Sequence, residues 1–175
     1  GQVAEETAHL VPVEPGDAET LFSLSGISDS PVFVFYRSAE PVTQFSQFRG
    51  KRIFIGAPTS AIRTLMIEVL KSTDALDDST QLVDSSYTEA LERLISGNID
   101  AVMWPIPLDE AVLQRALETP GVRLMSVGQA EAISKKVPGL KRVILSRGLL
   151  SLTRDLPGSD VDMLAVRNRV LVRND

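Results

Sequence analysis

Cysteine is absent from the 175 residues, so no disulfide staples this chain and no thiol can serve as metal ligand or nucleophile. Histidine occurs once. His9 stands in an acidic, proline-broken stretch, and no Ser-His-Asp arrangement can be assembled around it. Dinucleotide fingerprints, phosphate loops and serine-nucleophile motifs are all missing. The acidic run Asp74, Asp77 and Asp78 lacks the central glycine and closing glutamate of a calcium loop. No apolar run approaches the ~20 residues of a membrane span, and no cationic leader with an apolar stretch opens the chain. The expectation from these gaps is a protein that is not an enzyme and uses no cofactor or metal. Strand-end carboxylates Asp84, Asp100 and Asp109 keep a carboxylate-pair hydrolase formally open, and the competing reading makes them helix caps.

What is present suffices for a folded α/β unit. With 43% hydrophobic residues, the chain is long enough to bury a real core. A net charge of −5 argues against a general nucleic-acid binder. The charge is uneven: residues 1–134 hold 9 Lys and Arg against 19 Asp and Glu, whereas residues 135–175 hold 9 against 4. The basic end reads either as a solvated surface or as a face for an anionic ligand, a membrane surface or another lobe.

Residues 1–30 read as a polar leader or linker broken by Pro12, Pro15 and Gly16, and residues 31–175 as a single lobe. Residues 31–37, rich in Val, Phe and Tyr, form the first strand. Its nearly unbroken apolar character predicts burial on both faces, with Tyr36 and Arg37 emerging at its end. Ile53–Ile55 form a second strand, and Gly56 and Pro58 punctuate it before helical spacing begins. The apolar positions Ile62, Leu65, Met66, Val69 and Leu70 predict a helix over 60–71. A short strand at 81–84 leads to Ser86 and Glu89, a capping box for a helix that Gly97 ends as a left-handed cap. Strand 98–104, helix 108–117, strand 122–125, helix 129–136 and strands 142–145 and 163–172 complete the order. In the last strand Arg167, Arg169 and Arg173 share one face. Such alternation predicts a three-layer α/β lobe with a mostly parallel sheet.

In a parallel sheet the strand-to-helix turns at 57–60, 84–86 and 104–108 open on one edge. Free backbone N–H groups at helix N-termini make that edge a place for a carboxylate or similar anion. Thr59, Ser60 and Ser85 offer hydroxyls there. Arg63, one turn into its helix, supplies either a bidentate cationic partner or an ordinary surface charge. Trp104, the only tryptophan, is either core or a wall facing the ligand.

Taken in order, Phe35-Tyr36-Arg37, the run from Phe48 through Arg52 into Ile55-Gly56-Ala57-Pro58-x-Ser60-x-x-Arg63, Glu89-Ala90-Leu91 and Ser96-Gly97-Asn98-Ile99-Asp100-Ala101 resemble the TAXI family of solute-binding proteins. Pro120 to Leu124, Gln129 to Ala132, Val143 to Gly148 and Leu171 to Arg173 continue the resemblance, which covers residues 31–175. These proteins are extracytoplasmic receptors of TRAP-type transporters with the type-II periplasmic-binding-protein fold. The resemblance implies a clamshell that closes on a small carboxylate solute, such as an amino acid or organic acid, and passes it to membrane transporter subunits. It implies a periplasmic or extracytoplasmic location, with any signal peptide outside this chain. By it, Tyr36 and Arg37 lie near the crossover between lobes, and Thr59, Ser60 and Arg63 at the ligand-facing turn. This chain then corresponds to the second lobe, with half a site that a missing first lobe or a second copy of the chain would complete.

The turn departs from the family's usual Gly-Ser-Gly-Thr. Here it reads Thr59-Ser60-Ala61-Ile62, without two glycines and with an apolar side chain in place of a hydroxyl. That departure motivates a second reading, a sensor or interaction domain of the same fold that has given up solute. A third, the effector domain of a transcription regulator, predicts a DNA-binding segment upstream.

Overall fold

Residues 19–20, 29–104 and 110–167 are described by the computed structural model. Its axis is β2 (Asp29–Arg37), a nine-residue strand with both edges occupied. Alternation along it builds two cores at once, since successive side chains leave opposite faces. Val32, Val34 and Tyr36 join one buried cluster, and Phe33 and Phe35 join the other.

The first cluster is covered by α1 (Ala61–Ser72), α4 (Ala130–Lys136) and the 3-10 turn Phe45–Phe48. α2 (Tyr87–Ser96) and α3 (Glu110–Glu118) cover the second. Two helices on each face of one sheet make the expected three-layer α/β arrangement. Both clusters run along the whole sheet: Leu140 and Leu164 share the first with Ile53 and Met66, and Val143 and Met163 share the second with Phe54 and Leu94.

The remaining strands are β1 (Glu19–Thr20), β3 (Arg52–Phe54), β4 (Gln81–Leu82), β5 (Ala101–Trp104), β6 (Val122–Leu124), β7 (Leu140–Leu145) and β8 (Val161–Arg167). They form an open, mixed sheet in the order β1-β7-β8-β2-β5-β3-β4, with β6 also paired to β2. Parallel pairing joins β4 to β3 and β3 to β5, and β1 to β7. The expected mostly parallel pairing is confined to these strands, because β2 runs antiparallel to β5, β6 and β8, and β7 antiparallel to β8. Hydrophobic runs report burial on both faces, which parallel and antiparallel central strands share, so strand direction is not written in them. Glu19 and Thr20, inside the stretch expected to be a leader, pair with Val143 and Ile144.

Local signals set the element ends. Ser60 caps α1 by accepting the Arg63 N–H, and Ser86 caps α2 by accepting the Glu89 N–H. The expected reciprocal arm differs: the Glu89 carboxylate faces the Ser85 hydroxyl at 3.4 Å. Gly97 closes α2 at φ 87°, a left-handed conformation that costs a residue with a Cβ more than it costs glycine. The described part of the last strand is β8, and Arg169 and Arg173 lie outside the described residues.

Candidate functional site

Because β3, β4 and β5 run parallel, their carboxyl ends reach one edge of the sheet. There the turn after β3 leads into α1 and the turn after β4 into α2. Backbone N–H groups in the first turn of each helix have no intrahelical acceptor, and the helix dipole adds partial positive charge.

Gly56 forms the tight point of the first turn. Its φ of 110° belongs to glycine, and a Cβ there would come within 2.7 Å of Ile62 Cγ2 and 2.8 Å of Ser60 Oγ. Ile62, which stands where the resemblance leads one to expect a hydroxyl, is buried in the core beneath the turn. Ser60 Oγ donates to the Ala57 carbonyl at 2.8 Å while accepting from Arg63. Thr59 is exposed at the rim.

Arg63 links the two turns. Its Nη1 donates to the Gly56 carbonyl and to Asp84 Oδ1, both at 3.3 Å. Only 17% of the Arg63 side chain is exposed, against 69% of Asp84. Ser85 Oγ lies 3.0 Å from the Ser86 carbonyl.

Tyr87, the first residue of α2, closes the gap between the helices. Its ring meets Phe54 edge-on with centroids 5.3 Å apart, and its hydroxyl hydrogen-bonds with Ser60. Burial pushes the phenol up from its ordinary pKa, and the Ser60 bond offsets part of that rise. The group therefore stays protonated near neutral pH. Tyr87 is not among the residues that the sequence singles out, although its position directly after a capping serine at a strand-to-helix turn is a usable signal.

Thr59, Ser60, Arg63 and Ser85 thus come together on one edge. The backbone of Trp104 also ends there, paired with Phe33 of β2. Its side chain and the turn at 105–109, including Asp109, lie outside the described residues.

Tyr36 and Arg37 lie at the opposite edge, because antiparallel β2 brings Tyr36 beside Ala101, the start of β5. Tyr36 is buried, its hydroxyl accepts the Val42 N–H at 2.7 Å, and its ring packs edge-on against Phe48. The Arg37 guanidinium donates to the Leu94 carbonyl at 2.6 Å and to that of Ile95, satisfying the carboxyl end of α2. A cleft of about 150 Å³ opens at this edge, with Arg37, Glu40, Gln47, Lys51 and Asp100 among its lining.

Asp100 accepts from the Arg52 backbone N–H at 2.8 Å and from its guanidinium at 3.1 Å. Burial alone would raise its pKa, but these bonds outweigh that effect and hold the carboxyl below the ordinary carboxylate value. Contrary to the capping expectation, neither Asp84 nor Asp100 caps a helix. Each is held by an arginine instead. Among the described residues no group of His, Cys, Asp and Glu side chains is arranged to hold a metal ion.

The sequence pattern of the NMT1-like family matches residues 12–175. The chain belongs to the NMT1-like family. Among curated proteins nothing matches this NMT1-like chain. Similar solved structures include the substrate binding protein of an amino acid ABC transporter, at 14% identity and a TM-score of 0.43. The match covers 96% of this chain and 55% of that one. An ancestral arginine-binding protein bound to arginine is 15% identical with a TM-score of 0.41, covering 96% and 56%. The periplasmic aliphatic sulphonate binding protein SsuA from Escherichia coli is 15% identical with a TM-score of 0.43, covering 84% and 37%. This chain therefore spans between 37% and 56% of the length of these three structures. No described helix is long and apolar enough to cross a membrane.

Proposed function

We propose that the chain is the second lobe of an extracytoplasmic solute receptor, taking a small carboxylate solute such as an amino acid or organic acid and acting by binding rather than catalysis. The observation that carries this reading is the pair of helix N-termini, α1 and α2, opening side by side at the carboxyl edge of β3 and β4 with Arg63 between them. Ser60, Thr59 and Ser85 supply hydroxyls around that point. The rest of the enclosure comes from a first lobe or a second copy of the chain, and the solute passes to membrane transporter subunits. The finer assignment, a TAXI-type receptor of a TRAP-type transporter, rests on the ordered motifs of residues 31–175 alone.

Calorimetry against amino acids, organic acids and sulfonates tests the reading. Binding of at least one carboxylate, weakened about tenfold or more by Arg63→Gln, is the expected result. If no member of the panel binds, alone or with the partner lobe present, the receptor reading fails.

A second reading, a sensor or protein-interaction domain that no longer handles solute, is favoured by one observation: Arg63 is already engaged by Asp84 and Gly56. That reading predicts no solute binding and self-association, or docking to a membrane protein, visible by sedimentation.

A further inference from the structure

We infer that the cleft at the amino ends of β3 and β5 is a second binding site, separate from the carboxyl edge, and that it takes a small monocarboxylate with a short apolar tail. Its lining comes from the end of β2, the segment 38–42, the Phe45–Phe48 turn and the residues just before β3 and β5. The receptor site at Arg63 uses none of these residues, and the two can fail separately.

Val42 and Phe48 give the cleft a buried apolar floor. Tyr36 holds both of them, because its hydroxyl accepts the Val42 N–H at 2.7 Å and its ring meets that of Phe48 edge-on. About 150 Å³ over that floor suits a few carbon atoms and one polar head, well below the roughly 300–1,000 Å³ of a pocket for drug-sized ligands.

Around the floor stand donors that lack acceptors. Gln47 Oε1 accepts the backbone N–H groups of Thr43 at 3.0 Å and Gln44 at 2.9 Å, which fixes the amide and leaves its NH2 with no described acceptor. Ser38 Oγ accepts the Glu40 N–H at 3.2 Å, and its own O–H has no acceptor among the described residues. The Lys51 ammonium makes no hydrogen bond or ion pair among the described residues; its charge reaches Asp100 only at a distance.

The other charges here are already committed. Arg37 is held by the Leu94 and Ile95 carbonyls, Arg123 by those of Ser38 and Ala39, and Asp100 is neutralised by Arg52. Acceptors are therefore what the cleft lacks, and a carboxylate supplies them. An ammonium would find only Glu40, on the exposed rim. A head group without a tail would leave Val42 and Phe48 uncovered, so the tail belongs to the ligand.

The test follows NMR chemical shifts of the full chain titrated with propionate, formate and n-propylammonium. Propionate should shift the Gln47 side-chain amide and the backbone amides of Ser38 and Lys51, formate should bind about three- to tenfold more weakly, and n-propylammonium should leave these signals in place. Lys51→Gln should weaken propionate about two- to fivefold, and Glu40→Gln should tighten it by a similar factor, a gain that no folding defect can mimic. Gln47→Glu keeps the acceptor for Thr43 and Gln44 but puts negative charge where the donor was, and should abolish binding here. Equal shifts from propionate and n-propylammonium, or affinity unchanged in Lys51→Gln and Glu40→Gln alike, would overturn the second site. So would propionate shifts confined to the Ser60 and Arg63 edge, which would leave the receptor reading standing. Shifts near Gln47 with none at Arg63 would uphold this site and count against a carboxylate at the receptor edge.

Discussion

At the carboxyl edge of β3 and β4, Arg63 holds Asp84; at the opposite edge, Arg52 holds Asp100 and Arg37 holds the last carbonyls of α2. Both edges pair an arginine with an aspartate, yet the partners differ in how replaceable they are. Asp100 lines the cleft at that edge and is 28% exposed, but it takes a backbone N–H as well as the guanidinium, so a ligand would have to break a bond at the sheet margin to take it over. Asp84, in a turn, has no described bond to its carboxylate beyond that from Arg63. An ion pair woven into backbone bonding serves the fold, whereas a lone pair between a fixed cation and an exposed carboxylate can exchange partners.

The sharpest way to break this comparison is Gly56→Ala. A Cβ at φ 110° that meets Ile62 and Ser60 should cost about 2–4 kcal/mol and lower the urea midpoint, with the carboxyl edge losing amide protection before the rest. Retention of full stability would show that the turn is not pinned as described.

Arg37→Met should cost about 1–2 kcal/mol, because it leaves the Ile95 carbonyl without its guanidinium donor and the Leu94 carbonyl with the Gly97 N–H alone. It should leave any affinity at Arg63 unchanged. A loss of ligand binding in this variant would show that the two edges act together after all.

Ser60→Ala removes the cap of α1 and one partner of Tyr87, for an expected cost of about 1 kcal/mol in thermal or urea melts. Here solute affinity should fall as well. That joint loss separates this edge from the one at Arg37.

The smallest expected effect is a pH dependence at the Asp100 edge. Its folded pKa lies below its unfolded value, so its contribution is fully present above about pH 4 and is lost as pH falls through the depressed value. Wild type and Asp100→Asn should differ by about 0.2–1 kcal/mol near neutrality and converge in strong acid. A difference that persists at low pH would mean that Asp100 stabilises by packing rather than by charge.

Much of this architecture is legible in the residues themselves. Ser60, Ser86 and Gly97 mark helix ends by local chemistry, and each does so in the fold. The alternation of β2 and the apolar stripes of α1 and α2 report faces correctly, because a side chain's face follows from the period of its own element. Thr59, Ser60, Arg63 and Ser85 are readable as neighbours because parallel strands bring successive turns to one edge. Tyr87 and the pairing of Arg63 with Asp84 are not, since 21 residues separate the two charges and only the pairing of β3 with β4 closes that distance.

The amino-acid sequence by itself therefore determined most of the elements and the faces they bury, which depend on neighbours a few residues away, but not β1, whose two residues are a strand only through their pairing with β7. Strand direction was left to the tertiary structure. Antiparallel β2 carries Tyr36 and Arg37 to the far edge, where one completes the core and the other closes a helix. The reason is physical: a strand buried on both faces looks alike in either direction, and hydrogen bonds to β5, β6 and β8 choose between them.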